Sequence, residues 1–241
     1  MKRMTVVSSV IAVILAGAIA RAEDNASISG KISFAGDAPK AKKLKMDADP
    51  QCAALHADKP ATSEEVVVNA NGTLKNVFVY LKSGVTGTYP KPATPVMINQ
   101  KGCTYDPHVF GMQAGQMILI KNSDDTLHNI HALPNNNEEF NKGQPAGSVP
   151  LVKAFRKPEV MVRIKCDVHP WMTAYVGVLE HPFFAVTGPD GKFELKGLPP
   201  GTYTIEAWQE KLGTTTASVT IGAKESKEVA FTFKHGAAAT N

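Results

Sequence analysis

Residues 166–172 read Cys-Asp-Val-His-Pro-Trp-Met, setting a thiol, an imidazole and a thioether at positions i, i+3 and i+6. Two apolar runs flank this heptapeptide: Pro158-Glu-Val-Met-Val-Arg-Ile-Lys165 before it and Ala174-Tyr-Val-Gly-Val-Leu179 after it. Short runs rich in β-branched residues read as strands. Cys166–Met172 is therefore expected to be a loop clamped between two strands. A further source of imidazole, His128-Asn-Ile-His131, follows the strand-like run Gln116-Met-Ile-Leu-Ile-Lys121. Thiolate and thioether suit Cu(I) and imidazole suits both copper oxidation states, so two imidazoles, a thiolate and a weak thioether make the donor set of an electron-transfer copper site.

Outward from this core, the pattern remains that of strands. Ile28-Ser-Gly-Lys-Ile-Ser-Phe34 alternates, and Asn71-Gly72 between Glu65–Asn69 and Lys75–Leu81 is a hairpin signal. Pro95–Asn99 adds another strand, and Cys52–His56 reads as a short helical turn. Beyond His181-Pro182, Lys192–Leu195, Thr202–Trp208, Ala217–Ile221 and Val229–Phe233 are expected strands, with Tyr203, Ile205 and Ala207 on one face and Thr202, Thr204 and Glu206 on the other. With no long helical pattern, the fold class is all-β.

Composition narrows the function. The 26 basic and 22 acidic side chains give +4, but Lys2, Arg3 and Arg21 lie in the first 22 residues, which hold no acid, so the remainder carries only +1. That argues against a broad nucleic-acid surface. The same 22 residues combine a basic start, an apolar stretch and Ala20-Arg-Ala22, the form of a cleaved secretory signal. The uncharged run Met4–Ala20 is shorter than the ~20 residues a spanning helix needs. The expectation is a periplasmic or secreted protein without stable membrane insertion.

Cys166-x-x-His169-x-x-Met172, with the upstream His128-Asn-x-His131, resembles the cupredoxins, in a loop of amicyanin length. The lead-in agrees, with Tyr105-x-Pro107 and Gly115-Gln-Met-Ile-Leu-Ile-Lys-Asn-Ser-Asp-Asp-Thr-Leu-His128. The resemblance implies a Greek-key β-sandwich and one type 1 copper ion. His128, Cys166 and His169 would be equatorial ligands and Met172 the axial one, with Asn129 tying the two loops together. Residues 183–234, marked by Asp190-Gly-x-Phe193 and Leu198-Pro-Pro-Gly-x-Tyr-Thr204, resemble the carboxypeptidase regulatory-like, transthyretin-type β-sandwich. The combination resembles bacterial methylamine-utilisation-like and plastocyanin-like proteins. The expected organisation is a signal over 1–22, a copper domain with an N-terminal extension over 23–181, and a small sandwich over 182–241.

Further expectations follow. The three cysteines allow three single disulfides, and if Cys166 is a ligand, Cys52 and Cys103 are the pair left over. Val168 stands where the amicyanin loop has proline, so its N–H is expected to donate to the Cys166 sulfur and raise the potential. His131 is expected at the surface or behind a ligand, and Trp171 in packing, with Pro170 beside it on an apolar rim. His56 and His108 are weak candidates for a second metal site with Cys52 and Cys103. The chain has no His-x-His pair to hold a catalytic copper, so it is read as a one-electron carrier between redox partner proteins and not as an enzyme. The alternative is a non-redox envelope module with a structural metal site.

Overall fold

The computed structural model describes residues 26–234. The expected signal segment and His235 lie outside the described residues. The chain opens with β1 (Ala26–Ala35), α1 (Pro50–Leu55), β2 (Val67–Val68), β3 (Leu74–Lys75) and β4 (Phe78–Ser83). It continues through β5 (Val96–Lys101), β6 (Thr104–Asp106), β7 (Val109–Gln113), β8 (Ile118–Asn122) and β9 (His128–Leu133). Next come β10 (Phe140–Gln144), β11 (Leu151–Lys153), β12 (Glu159–Lys165) and β13 (Thr173–Leu179). It ends with β14 (Phe184–Val186), β15 (Lys192–Leu198), β16 (Gly201–Gln209), β17 (Gly213–Ile221) and β18 (Ser226–Lys234). Among the described residues no helix is long and apolar enough to cross a membrane. The fold is all-β, as expected.

Two sandwiches are nested. In the outer one, the sheet β15-β1-β18 and the sheet β14-β4-β16-β17 share a core that includes Ile28, Ile32, Leu81, Leu195 and Ile205. The inner one joins β10-β9-β12-β13-β7 to β11-β8-β5-β6 around Ile98, Met112, Ile120, Ile130, Ile164 and Val176. All strands of the inner sandwich fall between β4 and β14, which pair antiparallel with Tyr80 opposite Phe184. The division expected at residues 181–182 therefore does not match the pairing. β1 and β4, placed in the copper region by sequence, are strands of the outer sandwich, with β1 between β15 and β18 and β4 between β14 and β16. Such pairing joins residues far apart in the chain and leaves no local pattern to read.

The run Phe78–Leu81 shows how the sandwiches meet. All four residues are buried, because alternate side chains serve two cores. Val79 and Leu81 face the outer sandwich's core, whereas Phe78 and Tyr80 join Val109 and Leu179 between the sandwiches. Gly111 and Gly177, opposite each other on parallel strands, make room: a Cβ on Gly177 would lie 2.3 Å from Phe78 Cζ. This junction also explains Glu206, which by alternation shares a strand face with Thr202 and Thr204. It is buried, accepting from Tyr80 Oη at 2.5 Å and Lys82 Nζ at 2.6 Å.

Between β1 and β2 the chain leaves the outer sandwich and crosses to the inner one. α1 starts there, with Asp49 as N-cap and Pro50 in the first turn. Cys52 on α1 is joined to Cys103 at an S–S distance of 1.97 Å, which fastens the crossing segment to the turn between β5 and β6. That segment lies over one end of the inner sandwich.

Candidate metal centre

Cys166 follows β12, His128 opens β9, and the loop to β13 carries His169 and Met172. The loop is closed by Cys166 N–H donating to Met172 O at 3.2 Å and Met172 N–H donating to His169 O at 3.0 Å. One ligand-capable atom from each of His128, Cys166 and His169 lies within 4.8 Å of the others. The imidazole Nδ1 atoms face each other at 2.9 Å, and Cys166 Sγ is 3.9 Å from His169 Nδ1. Met172 packs in the same apolar cluster as Cys166. All four residues are at most 2% exposed.

The outer nitrogens explain the inward ones. His128 Nε2 lies 2.9 Å from Asp124 Oδ2, and His169 Nε2 lies 2.9 Å from Asp49 Oδ2. An ionised carboxylate only accepts, so each Nε2 is a donor and each Nδ1 is left to face the partner. Asp124 also accepts from the backbone N–H of Gly102 and Cys103, both at 2.7 Å. Asp49 accepts from the N–H of Gln51 at 2.8 Å and Cys52 at 3.1 Å, and from the Thr126 hydroxyl at 3.1 Å. Each carboxylate thus rests on the backbone of one cysteine of the disulfide. Sequence reasoning missed both aspartates. Asp124 is four residues before His128, a spacing that could have been noticed, whereas Asp49 before Pro50 signals only a helix cap.

Charge follows from this arrangement. His169 at its side holds the Asp49 carboxyl down at about 2, helped by the backbone N–H groups. Burial pushes the Asp124 carboxyl up, but His128 and the two N–H groups outweigh it and leave it below the usual range. Burial likewise opposes a charged His128, yet Asp124 and Cys166 push its imidazole up to about 9. Burial disfavours the Cys166 thiolate, but hydrogen bonds from His128 and from backbone N–H groups bring the thiol below its ordinary value. Two Nδ1 lone pairs at 2.9 Å repel unless a cation sits between them. A soft or borderline ion can sit there beside the sulfur, so the residues present fit copper.

Asn129 joins the two loops. Its Oδ1 accepts from Asp167 N–H at 2.7 Å and Val168 N–H at 3.3 Å, and lies 3.1 Å from the Cys166 sulfur. Its own N–H points at that sulfur at 3.5 Å, and the His169 N–H does so at 3.4 Å. The Val168 N–H, expected to donate to the sulfur, lies 3.3 Å from Asn129 Oδ1 and is also among the backbone donors that lower the Cys166 thiol.

The other candidates lie apart. His131 is between Asp167 Oδ2 at 2.9 Å and Glu139 Oε1 at 2.8 Å. His56 Nε2 contacts Gly102 O at 2.8 Å, while His108 spans Thr173 O at 2.9 Å and Glu210 Oε2 at 2.8 Å. The disulfide removes Cys52 and Cys103 as thiolates, which excludes the second metal site. Trp171 lies against His169, with ring centroids 5.0 Å apart, and donates its indole N–H to Cys103 O at 3.0 Å.

The family model of the carboxypeptidase regulatory-like domain matches residues 172–234. That segment takes in β13 of the inner sandwich and omits β1 and β4 of the outer one. No curated protein matches the chain. A copper-containing nitrite reductase from Thermus scotoductus SA-01 is similar at 20% identity, with a TM-score of 0.34 over 42% of this chain and 25% of that one. The chain thus spans about a quarter of the reductase's length. A purple cupredoxin from Nitrosopumilus maritimus is 21% identical, with a TM-score of 0.30 over 34% of this chain and 98% of that one. A Cu(I) amicyanin mutant is 16% identical, with a TM-score of 0.31 over 42% of this chain and 97% of that one. The matches are thus to the carboxypeptidase regulatory-like domain model over residues 172–234 and, among solved structures, to cupredoxins.

Proposed function

We propose that the chain is an exported type 1 copper protein that carries single electrons between redox partner proteins. His128, Cys166 and His169 would hold one copper ion, with Met172 as weak axial ligand. When bound, the ion supplies a one-electron Cu(II)/Cu(I) couple. The chain's own residues supply the rest. The buried walls exclude water, and Asp49 and Asp124 hold the imidazoles so that little moves when the charge changes. The observation that carries this reading is the pair of Nδ1 atoms 2.9 Å apart beside a buried thiol, each ring fixed from behind by a carboxylate. Export fits the disulfide, which persists in an oxidising compartment.

The test is to add Cu(II) to metal-free protein. An intense visible thiolate-to-copper band is expected, absent in Cys166→Ser, with a single type 1 signal in electron paramagnetic resonance. A second, ordinary copper signal would favour an enzyme. A tight colourless Zn²⁺ complex with no band for Cu(II) would favour the structural module instead.

A further inference from the structure

We propose that Trp171 is the electron port of this protein, at the floor of a groove whose basic lip receives an acidic redox protein. The inference rests on the copper reading above and adds to it a route and a class of partner.

The first ground is closure. His128 is 0% exposed, Cys166 2%, His169 2% and Met172 1%, so no ligand candidate offers an edge to solvent. The outer nitrogen of His169 is covered by Asp49, with Cys52 Sγ 3.8 Å away. An electron must therefore cross another residue. Electronic coupling falls steeply with distance, so the route runs through a residue packed directly on a ligand, and Trp171 is the aromatic ring against a ligand candidate that also reaches the surface. Its ring is tilted 39° to His169 at 5.0 Å, it is fixed through its N–H to Cys103 O, and it is half-buried. It lines a groove of about 770 Å³ together with Pro170.

The second ground is charge. Two acids of that groove are ion-paired, Glu64 to Lys75 at 2.7 Å and Glu65 to Lys211 at 2.8 Å, and Glu210 lies 2.8 Å from His108 Nε2. Lys42, Lys43, Lys45 and Arg163 line it too, are exposed, and have no ion-pair partner among the described residues. Near-zero overall charge thus conceals a local excess of positive charge around the port. Such a lip steers an acidic surface toward the groove and speeds encounter, in the small, short-lived interfaces usual for electron transfer. The partner that fits is a one-electron haem, iron–sulfur or copper protein with carboxylates around its exposed cofactor edge. In each encounter the donor loses one electron and the acceptor gains it, with no bond formed or broken and no proton transferred.

The test begins with metal-free protein, so that docking is read apart from copper. Hexacyanochromate(III), a paramagnetic trianion, is expected to broaden the amide signals of Lys42–Lys45 and Thr173 and the Trp171 indole signal, while hexaamminechromium(III) leaves them sharp. Broadening centred instead on Leu127 and Val168, the exposed apolar residues beside the ligands, or equal broadening by both ions, would overturn the proposal. In copper-loaded protein whose Cu(II) form keeps its visible band, the rate at which hexacyanoferrate(III) reoxidises the reduced Cu(I) form is expected to fall several-fold in Trp171→Leu and to recover in Trp171→Phe. Reversing Lys42, Lys43 and Lys45 to Glu is expected to slow it on the order of tenfold and to invert its salt dependence. A Trp171→Leu rate equal to wild type at unchanged potential would also overturn it. Absence of the band in wild-type protein would instead count against the copper reading.

Discussion

Asp49 closes over His169, its Oδ2 2.9 Å from the imidazole Nε2, although the aspartate belongs to a segment that starts from the outer sandwich. The contact fixes the tautomer and the ring orientation, so its loss should be felt as lost metal affinity. Partners that orient a ligand from behind are typically worth about 10–100-fold in affinity. Asp49→Ala is therefore expected to weaken Cu(II) binding by about that factor in a chelator competition, and Asp49→Asn by less, because the amide oxygen still accepts. Equal affinity for all three proteins would show that the carboxylate does not position the ligand.

The disulfide acts on both histidines at once. Cys52 N–H supports Asp49 and Cys103 N–H supports Asp124. The bridge spans 51 residues, and closing a loop of that size is worth about 4 kcal/mol against the unfolded chain. Cys52→Ser with Cys103→Ser is expected to lose stability of that order in urea unfolding of metal-free protein, and to weaken Cu(II) binding as well. A stability loss with unchanged affinity would mean that the carboxylates hold their places without the bridge.

Asn129 Oδ1 gathers contacts from Cys166, Asp167 and Val168, whereas the sulfur draws its nearest backbone N–H groups from Asn129 and His169. Val168→Pro removes an N–H shared between the amide oxygen and the Cys166 sulfur, so its reduction potential is expected to fall. Asn129→Ala removes the anchor of the loop and is expected to broaden or abolish the visible band. An unchanged potential in Val168→Pro would show that the Val168 N–H serves only the Asn129 oxygen.

Strand alternation made most of the fold legible before any coordinates, since Ile28–Phe34 and Thr202–Trp208 carry their period in plain view. The ligand loop was legible too, because its donor types are unusual and closely spaced. The nesting was not. β4 finds β14 across the whole inner sandwich, and its only local trace is Phe78–Leu81, apolar on both faces. Asp49 was hidden for a different reason: before Pro50 an aspartate is fully explained as a helix cap, and nothing nearby announces that its second oxygen serves His169.

Gly177 marks the junction between the sandwiches. Alanine there would place Cβ 2.3 Å from Phe78 Cζ and 2.5 Å from its Cε1, with the ring already buried between the two cores. Overpacking of this kind costs about 1–3 kcal/mol. Gly177→Ala is expected to lower the unfolding midpoint accordingly, and Phe78→Leu in the same chain to recover part of the loss. Simple additivity of the two losses would show that they act independently.

Glu159 provides a pH test far from the ligands. Its carboxylate accepts from Asn136 N–H at 2.9 Å and Asn137 Nδ2 at 3.1 Å, and also from the Asn135 N–H, which together hold the turn before β10. Burial pushes this carboxyl up, but the Asn135, Asn136 and Asn137 donors outweigh it and leave it below the ordinary value. A depressed carboxylate contributes stability that is complete above its unfolded-state value and is lost as pH falls through the folded-state one. Glu159→Gln is therefore expected to lose about 1–3 kcal/mol at pH 7, where charged hydrogen bonds are replaced by neutral ones. The gap between mutant and wild type in urea midpoint should narrow steadily into acid and close once the wild-type carboxyl is protonated. A gap that stays constant down to acid pH would mean that the side chain supports the turn by its shape rather than its charge.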